Sequence, residues 1–168
     1  IIYLLLSFFP LSVFLALLIT GLSPISAGVG ALIATHLSTD GLYGLDPASF
    51  LWRGYGLSSQ LFATIWLPLA IAYAWRGKVI PAIFFLAATT AGHLGIGIIA
   101  FLSIGVLAWK NLKKLMLIYG GVLLLLGYWI LPILINSNYH NISFWDPVWK
   151  FDSYGAKETL VRLFNGDL

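Results

Sequence analysis

The 168-residue sequence contains no cysteine, and only 9% of its residues are charged. Without cysteine the chain can form no disulfide and can offer no thiolate as a nucleophile or metal ligand. A soluble domain carries about 25% charged residues, so this chain has too few charges to cover its surface in water. Its nine Lys and Arg residues are scattered and its formal charge is only +3, which argues against nucleic acid as a partner.

Apolar and aromatic residues take the place of the missing charge. Hydrophobic residues make up 60% of the chain and aromatic residues 15%, and the mean hydropathy is +0.95. Seven Trp and eight Tyr residues suit the two interfaces between a bilayer and water. The composition therefore predicts an integral membrane protein whose main partner is the lipid bilayer.

Long apolar runs separated by Gly, Pro and basic residues predict an all-α fold, a polytopic bundle with about six membrane crossings. Each full crossing needs about 20 apolar residues. The predicted domain covers residues 1–135, and residues 136–168 begin an extracytoplasmic segment. The predicted spans are 1–20, 24–37, 57–75, 79–91, 95–109 and 115–135.

The apolar run of residues 79–109 decides the topology. As one helix it would be about 46 Å long, more than a bilayer accommodates without strong tilt. As two helices broken near residues 91–95, each piece would be about 20 Å long. Basic residues flank the run on both sides: Arg76, Lys78, Lys110, Lys113 and Lys114.

Basic clusters favour the cytoplasmic side of a membrane, so both flanks of this run should lie there. That requirement predicts a hairpin of two short helices, and a single strongly tilted helix is the alternative. Counting membrane crossings in both directions from these cytoplasmic flanks places residues 38–56 and 136–168 on the extracytoplasmic side. The predicted location is the plasma membrane.

Three residues on the predicted outer side are candidates for catalysis: Asp40, Asp46 and His93. A carboxylate or an imidazole can act as a general base, and ionisable groups at membrane depth are often functional. The alternative is that a histidine at a helix end only caps backbone groups. A divalent metal ion is conceivable from three His and several Asp, but their separations match no usual ligand spacing.

Aromatic and charged residues cluster in the two predicted outer segments. Aromatic faces beside carboxylates suit sugars, and arginine suits phosphate. An interfacial aromatic belt with one snorkelling arginine is the alternative. The candidate substrate-binding residues are His36, Trp52, Arg53, Trp145, Asp146, Lys150, Asp152 and Tyr154.

The order of several motifs resembles a known family. They are Phe-Pro-Leu-Ser-Val (9–13), Gly-Leu-Ser-Pro (21–24), Leu-Trp-Arg-Gly (51–54), the break at His93, and Trp-Asp-Pro to Asp-Ser-Tyr-Gly (145–155). This order resembles multi-pass membrane proteins with the 6-pyruvoyl-tetrahydropterin synthase-related domain, which look like the C-type glycosyltransferase superfold. The resemblance implies a polyprenyl-phosphate-linked sugar donor, chemistry on the extracytoplasmic face and an Asp or Glu base.

One feature departs from that superfold. Its acidic motif usually lies in the first outer loop, whereas Asp40 and Asp46 do not form an Asp-x-Asp or Glu-x-Asp pair. We expect the chain to be a piece of a longer protein, with the acidic pair upstream of Ile1. Two other functions stay open at this point: a transporter or flippase, and a non-catalytic membrane scaffold.

Overall fold

The computed structural model describes residues 2–36 and 58–135, and all regular structure in these ranges is α-helical. The all-α prediction is confirmed, and the number of helices is the number expected. In chain order the helices are α1 (Ile2–Thr20), α2 (Pro24–His36), α3 (Ser58–Trp75), α4 (Val79–Gly92), α5 (Leu94–Ala108) and α6 (Leu112–Ile135).

Two glycines in the left-handed conformation end α1 and α3. Gly21 has φ +102° and Gly77 has φ +67°, values that side-chain-bearing residues rarely adopt. At the second site the Lys78 N–H donates to the Tyr73 carbonyl, which is the six-to-one bond of a Schellman motif. Gly21 is followed by the equivalent bond from Leu22 to Leu17.

The apolar run of residues 79–109 forms two helices rather than one, as the basic flanks indicated. His93 separates them in an extended conformation, with φ −157° and ψ 117°. Its own N–H closes α4 by donating to Thr89, and its carbonyl accepts from Gly97 to begin α5. Each of the two helices is about 21 Å long.

The start of α6 differs from the predicted boundary at residue 115. The helix begins at Leu112, because the Asn111 side chain caps it by accepting from the Lys114 N–H at 3.2 Å. Asparagine is among the favoured N-cap residues. Lys113 and Lys114 therefore belong to the first turn of the helix rather than to a loop.

The chain divides into two compact units at Ile130, and α3 is central to the first unit because it contacts α1, α4 and α5. Small side chains dominate the buried surface, so the helix backbones approach closely. Alanine alternates with a few larger residues in this core. Its buried members are Ala70, Ala74, Ala82, Leu86, Ala87, Ala100, Ile104, Ile118, Val122 and Leu126.

The exterior of the described helices is strongly apolar. Val106 is 73% exposed and Leu124 is 86% exposed. One described segment, Leu112–Pro132, is long and apolar enough to cross a bilayer, with 21 residues and a mean hydropathy of 2.0. The other apolar helical stretches have 10–17 residues. The structure thus shows six helices with one candidate span, and six crossings remain a proposal.

Candidate functional site

Among the predicted site residues, the structure describes the side chain of His93 and the backbone of His36, the last residue of α2. The two predicted outer segments, with the aromatic and acidic residues that suggested substrate binding, lie outside the described residues. Outside the described residues lie Asp40, Asp46, Trp52, Arg53, Trp145, Asp146, Lys150, Asp152 and Tyr154.

The His93 side chain caps the amino end of α5. Its Nδ1 accepts a hydrogen bond from the Ile96 N–H at 3.3 Å, a position usually filled by Ser, Thr, Asp or Asn. Because Nδ1 accepts, the neutral ring carries its proton on Nε2. The nitrogen left for a ligand is therefore a hydrogen-bond donor.

The glycines on either side of His93, Gly92 and Gly95, allow close packing at this turn. A Cβ on Gly95 would lie 3.2 Å from His93 Cε1. A Cβ on Gly92 would lie 2.8 Å from Phe62 Cδ1 and 3.1 Å from the Ala63 nitrogen. Consequently the first turns of α3 pack against the tip of the α4–α5 hairpin.

Contacts between α1 and α3 fix which helix ends lie together. The Ser12 hydroxyl donates to the Ile65 carbonyl, and Ala16 is buried with Leu69 and Ala72. Residues further along α1 thus meet residues further along α3, so the two helices run parallel. Because α2 turns back from α1 after Gly21, it runs toward the end where α3 begins.

One end of the first unit therefore gathers the tip at His93, the start of α3 and the carboxyl end of α2. Segment 37–57 connects α2 to α3 in the sequence, so both of its attachment points, His36 and Ser58, belong to this end. The turns at residues 21–23, 76–78 and 109–111 belong to the opposite end. The same grouping of helix ends was expected from the basic residues that flank the run 79–109, because both flanks were predicted to lie on one side of the membrane.

No family model matches the sequence, and neither a curated protein nor a solved structure matches it. The resemblance to C-type glycosyltransferases therefore rests on the motifs of the sequence itself. Within residues 2–36 and 58–135, no group of three or more His, Asp or Glu residues is arranged to hold a metal ion.

A cavity at the end of the bundle opposite His93 was not predicted from the sequence. It has a volume of about 160 Å³ and lies between the turn that ends α3 and the turn between α5 and α6. In the sequence, the basic residues here indicated only the topology. Residues lining the cavity include Trp75, Gly77, Lys110, Asn111 and Lys114.

An apolar groove of about 330 Å³ lies between α1 and α3. Its lining includes Phe8, Leu15 and Trp66, and the buried Trp66 Nε1 finds no hydrogen-bond partner within the described part of the chain. The groove offers apolar surface between these two helices.

Substitution of His93 should separate its structural role from a chemical one. We expect His93→Ala to lower the stability of the bundle by about 1 kcal/mol, because the α5 cap is lost. His93→Asn should retain most of that stability, since asparagine is a good N-cap. Denaturant titration of the purified variants measures both, and equal losses in the two variants would contradict the capping role.

Proposed function

We propose that this chain is the membrane-embedded helical part of a glycosyltransferase-like protein that uses a polyprenyl-phosphate-linked sugar at the extracytoplasmic face. The observation that carries the proposal is the shared location of His93, the end of α2 and the start of α3. The segment with Asp40, Asp46 and Arg53 attaches at that same end, opposite the basic turns.

The surface of the described helices supports placement in a membrane. Large apolar side chains are exposed on every helix, including Leu32, Phe84 and Leu124, whereas a soluble protein keeps such patches small. The chain has six acidic residues, and none of them lies within residues 2–36 or 58–135. The described helices thus present lipid-compatible surface along their length and charge only at their ends.

The proposed orientation follows from the basic turns. Residues 76–78 and 110–114 carry every Lys and Arg of the described ranges, and such clusters favour the cytoplasm. The His93 end then faces outward, and segments 38–56 and 136–168 are extracytoplasmic. Because α4 and α5 are each about 21 Å long, shorter than a hydrocarbon core of about 30 Å, the His93 turn would lie at or below the outer headgroups.

The proposed reaction transfers a sugar from a lipid phosphate to an acceptor hydroxyl. A carboxylate of Asp40 or Asp46 takes the hydroxyl proton, the acceptor oxygen bonds to the anomeric carbon, and the bond to the polyprenyl phosphate breaks. The His93 Nε2–H can donate a hydrogen bond to that phosphate. Further contacts to sugar and phosphate are proposed for His36, Trp52, Arg53, Trp145, Asp146, Lys150, Asp152 and Tyr154.

A transporter receives less support from the described residues. Transporters place polar binding groups near the membrane midplane, commonly in broken helices. Three hydroxyl side chains are buried in the described ranges, those of Ser12, Thr89 and Thr90, and each donates to a backbone carbonyl. Their hydroxyl protons are therefore already used within the helices, and none is free to donate to a transported solute.

Membranes that contain the full-length protein test the proposed reaction. With radiolabelled polyprenyl-phosphate sugars, we expect Asp40→Asn or Asp46→Asn to lower turnover by about 10²- to 10⁴-fold, the usual contribution of a general base. His93→Asn, which keeps the α5 cap, should lower turnover less. Unchanged turnover in both aspartate variants would remove these carboxylates from the mechanism.

A further inference from the structure

The unpredicted cavity between the two basic turns brings together residues that are distant in sequence. Gly77 belongs to the turn after α3, whereas Lys110 and Asn111 belong to the turn between α5 and α6 and Lys114 lies in the first turn of α6. A Cβ on Gly77 would lie only 2.6 Å from Lys114 Nζ. The lysine ammonium thus rests against the glycine backbone, in space that any side chain at residue 77 would occupy.

The positive charge around this cavity has no counter-charge in the described part of the chain. Lys110 and Lys114 line the cavity, Arg76 and Lys78 lie in the turn after α3, and Lys113 lies in the first turn of α6. All acidic residues fall outside the described ranges, and Lys110 Nζ instead lies 5.8 Å from the centre of the Trp109 ring. An anion in the cavity would therefore meet concentrated positive charge that no residue of 2–36 or 58–135 neutralises.

Phosphate is the anion that this lining suits. Two lysines supply charge and N–H donors, and Asn111 uses its side-chain oxygen to cap α6, which leaves its amide NH₂ as a further donor. The cavity volume of about 160 Å³ is comparable with several water molecules of about 30 Å³ each. A phosphate group with part of its ester substituent fits such a space.

Two exposed tryptophans indicate where that phosphate comes from. Trp75, which lines the cavity, is 59% exposed, and Trp109 beside Lys110 is 64% exposed. Exposed tryptophans at helix ends are typical of the headgroup layer of a bilayer. Basic pockets between helices on the cytoplasmic side are suited to anionic lipid headgroups.

We propose that the cavity lined by Gly77, Lys110, Asn111 and Lys114 binds the phosphate of an anionic phospholipid from the cytoplasmic leaflet. The inference rests on the membrane orientation proposed above but not on glycosyl transfer. Lys110 and Lys114 hold the phosphate, while Trp75 and Trp109 lie against the glycerol and upper acyl region. The bound lipid anchors the α3–α4 turn to the α5–α6 turn.

Lipid retention by the purified protein tests this site. The protein is reconstituted in nanodiscs of phosphatidylcholine with phosphatidylglycerol, and native mass spectrometry counts the phosphatidylglycerol that stays bound. We expect Lys110→Gln and Lys114→Gln each to lower the retention about fivefold, as expected for one lysine near anionic lipid. Lys113→Gln is the matched control, because Lys113 belongs to the same turn but does not line the cavity.

Three outcomes would overturn the proposal. An equal loss with Lys113→Gln would show that only general surface charge attracts the lipid. Displacement of the lipid by inorganic phosphate would point to a soluble ligand. If the protein resists alkaline extraction from membranes but shows no preference for phosphatidylglycerol, the lipid site alone is refuted. If alkaline treatment extracts the protein, the membrane placement itself is refuted.

Discussion

Replacing Gly97 by alanine is expected to lower the free energy of unfolding by about 1–3 kcal/mol, the usual cost of overpacking. The added Cβ would lie 2.8 Å from both Cα and Oγ1 of Thr90. Thr90 is buried, and its hydroxyl donates to the Leu86 carbonyl. Backbone atoms cannot rotate away, so α4 and α5 must separate to admit the methyl group.

The direction of the change in unfolding free energy distinguishes a closely packed glycine from an open one. Alanine is a better helix former than glycine by about 1 kcal/mol, so a glycine without close neighbours should gain stability from the same change. Gly120 in α6 is such a glycine, since a Cβ there would meet no atom within 4 Å. Gly120→Ala should therefore be neutral or stabilising in the same unfolding measurement. A stabilising Gly97→Ala variant would contradict the close α4–α5 contact.

The α4–α5 hairpin shows how far sequence reasoning reaches in this chain. The basic residues on both sides of the run 79–109 required its two ends to lie together, and a break was predicted near residues 91–95. The structure places the turn at His93 and adds what the sequence left open, an imidazole that caps α5. The capping bond depends on ring orientation, which no spacing pattern encodes.

Helix packing was beyond prediction for a related reason. A helix that is apolar all round has no hydrophobic stripe that marks its buried face. In α5, Ile104 is fully buried while Val106, two residues later, is 73% exposed, although both are β-branched and apolar. The parallel pairing of α1 with α3 and the basic cavity between the two turns depend on such faces, so they emerge only from the structure.

The candidate site stays a prediction that rests on residue types and not on geometry. The sequence selected ionisable and aromatic residues on one predicted side of the membrane. In the structure, His93, the carboxyl end of α2 and the start of α3 belong to one end of the bundle. The carboxylates proposed for catalysis, Asp40 and Asp46, lie outside the described residues. Their distances from His93 Nε2 are the geometry on which the proposed reaction depends.

Single-cysteine labelling should give an all-or-none difference in maleimide modification between the two sides of the membrane. The sequence has no cysteine, so each introduced thiol is the only one that a maleimide can modify. Lys78 and Asn111 are exposed in the two basic turns, and cysteine at either position should react freely. Gly41 belongs to segment 38–56, which the proposed topology places on the other side of the membrane.

Labelling from one side of the membrane tests whether the bundle is embedded in a bilayer with both basic turns on one face. In sealed, right-side-out vesicles, an impermeant maleimide should label Gly41→Cys at once, and Lys78→Cys and Asn111→Cys only after permeabilisation. The proposed topology would be contradicted if Lys78→Cys and Asn111→Cys labelled from opposite faces, or if Gly41→Cys were protected together with both of them.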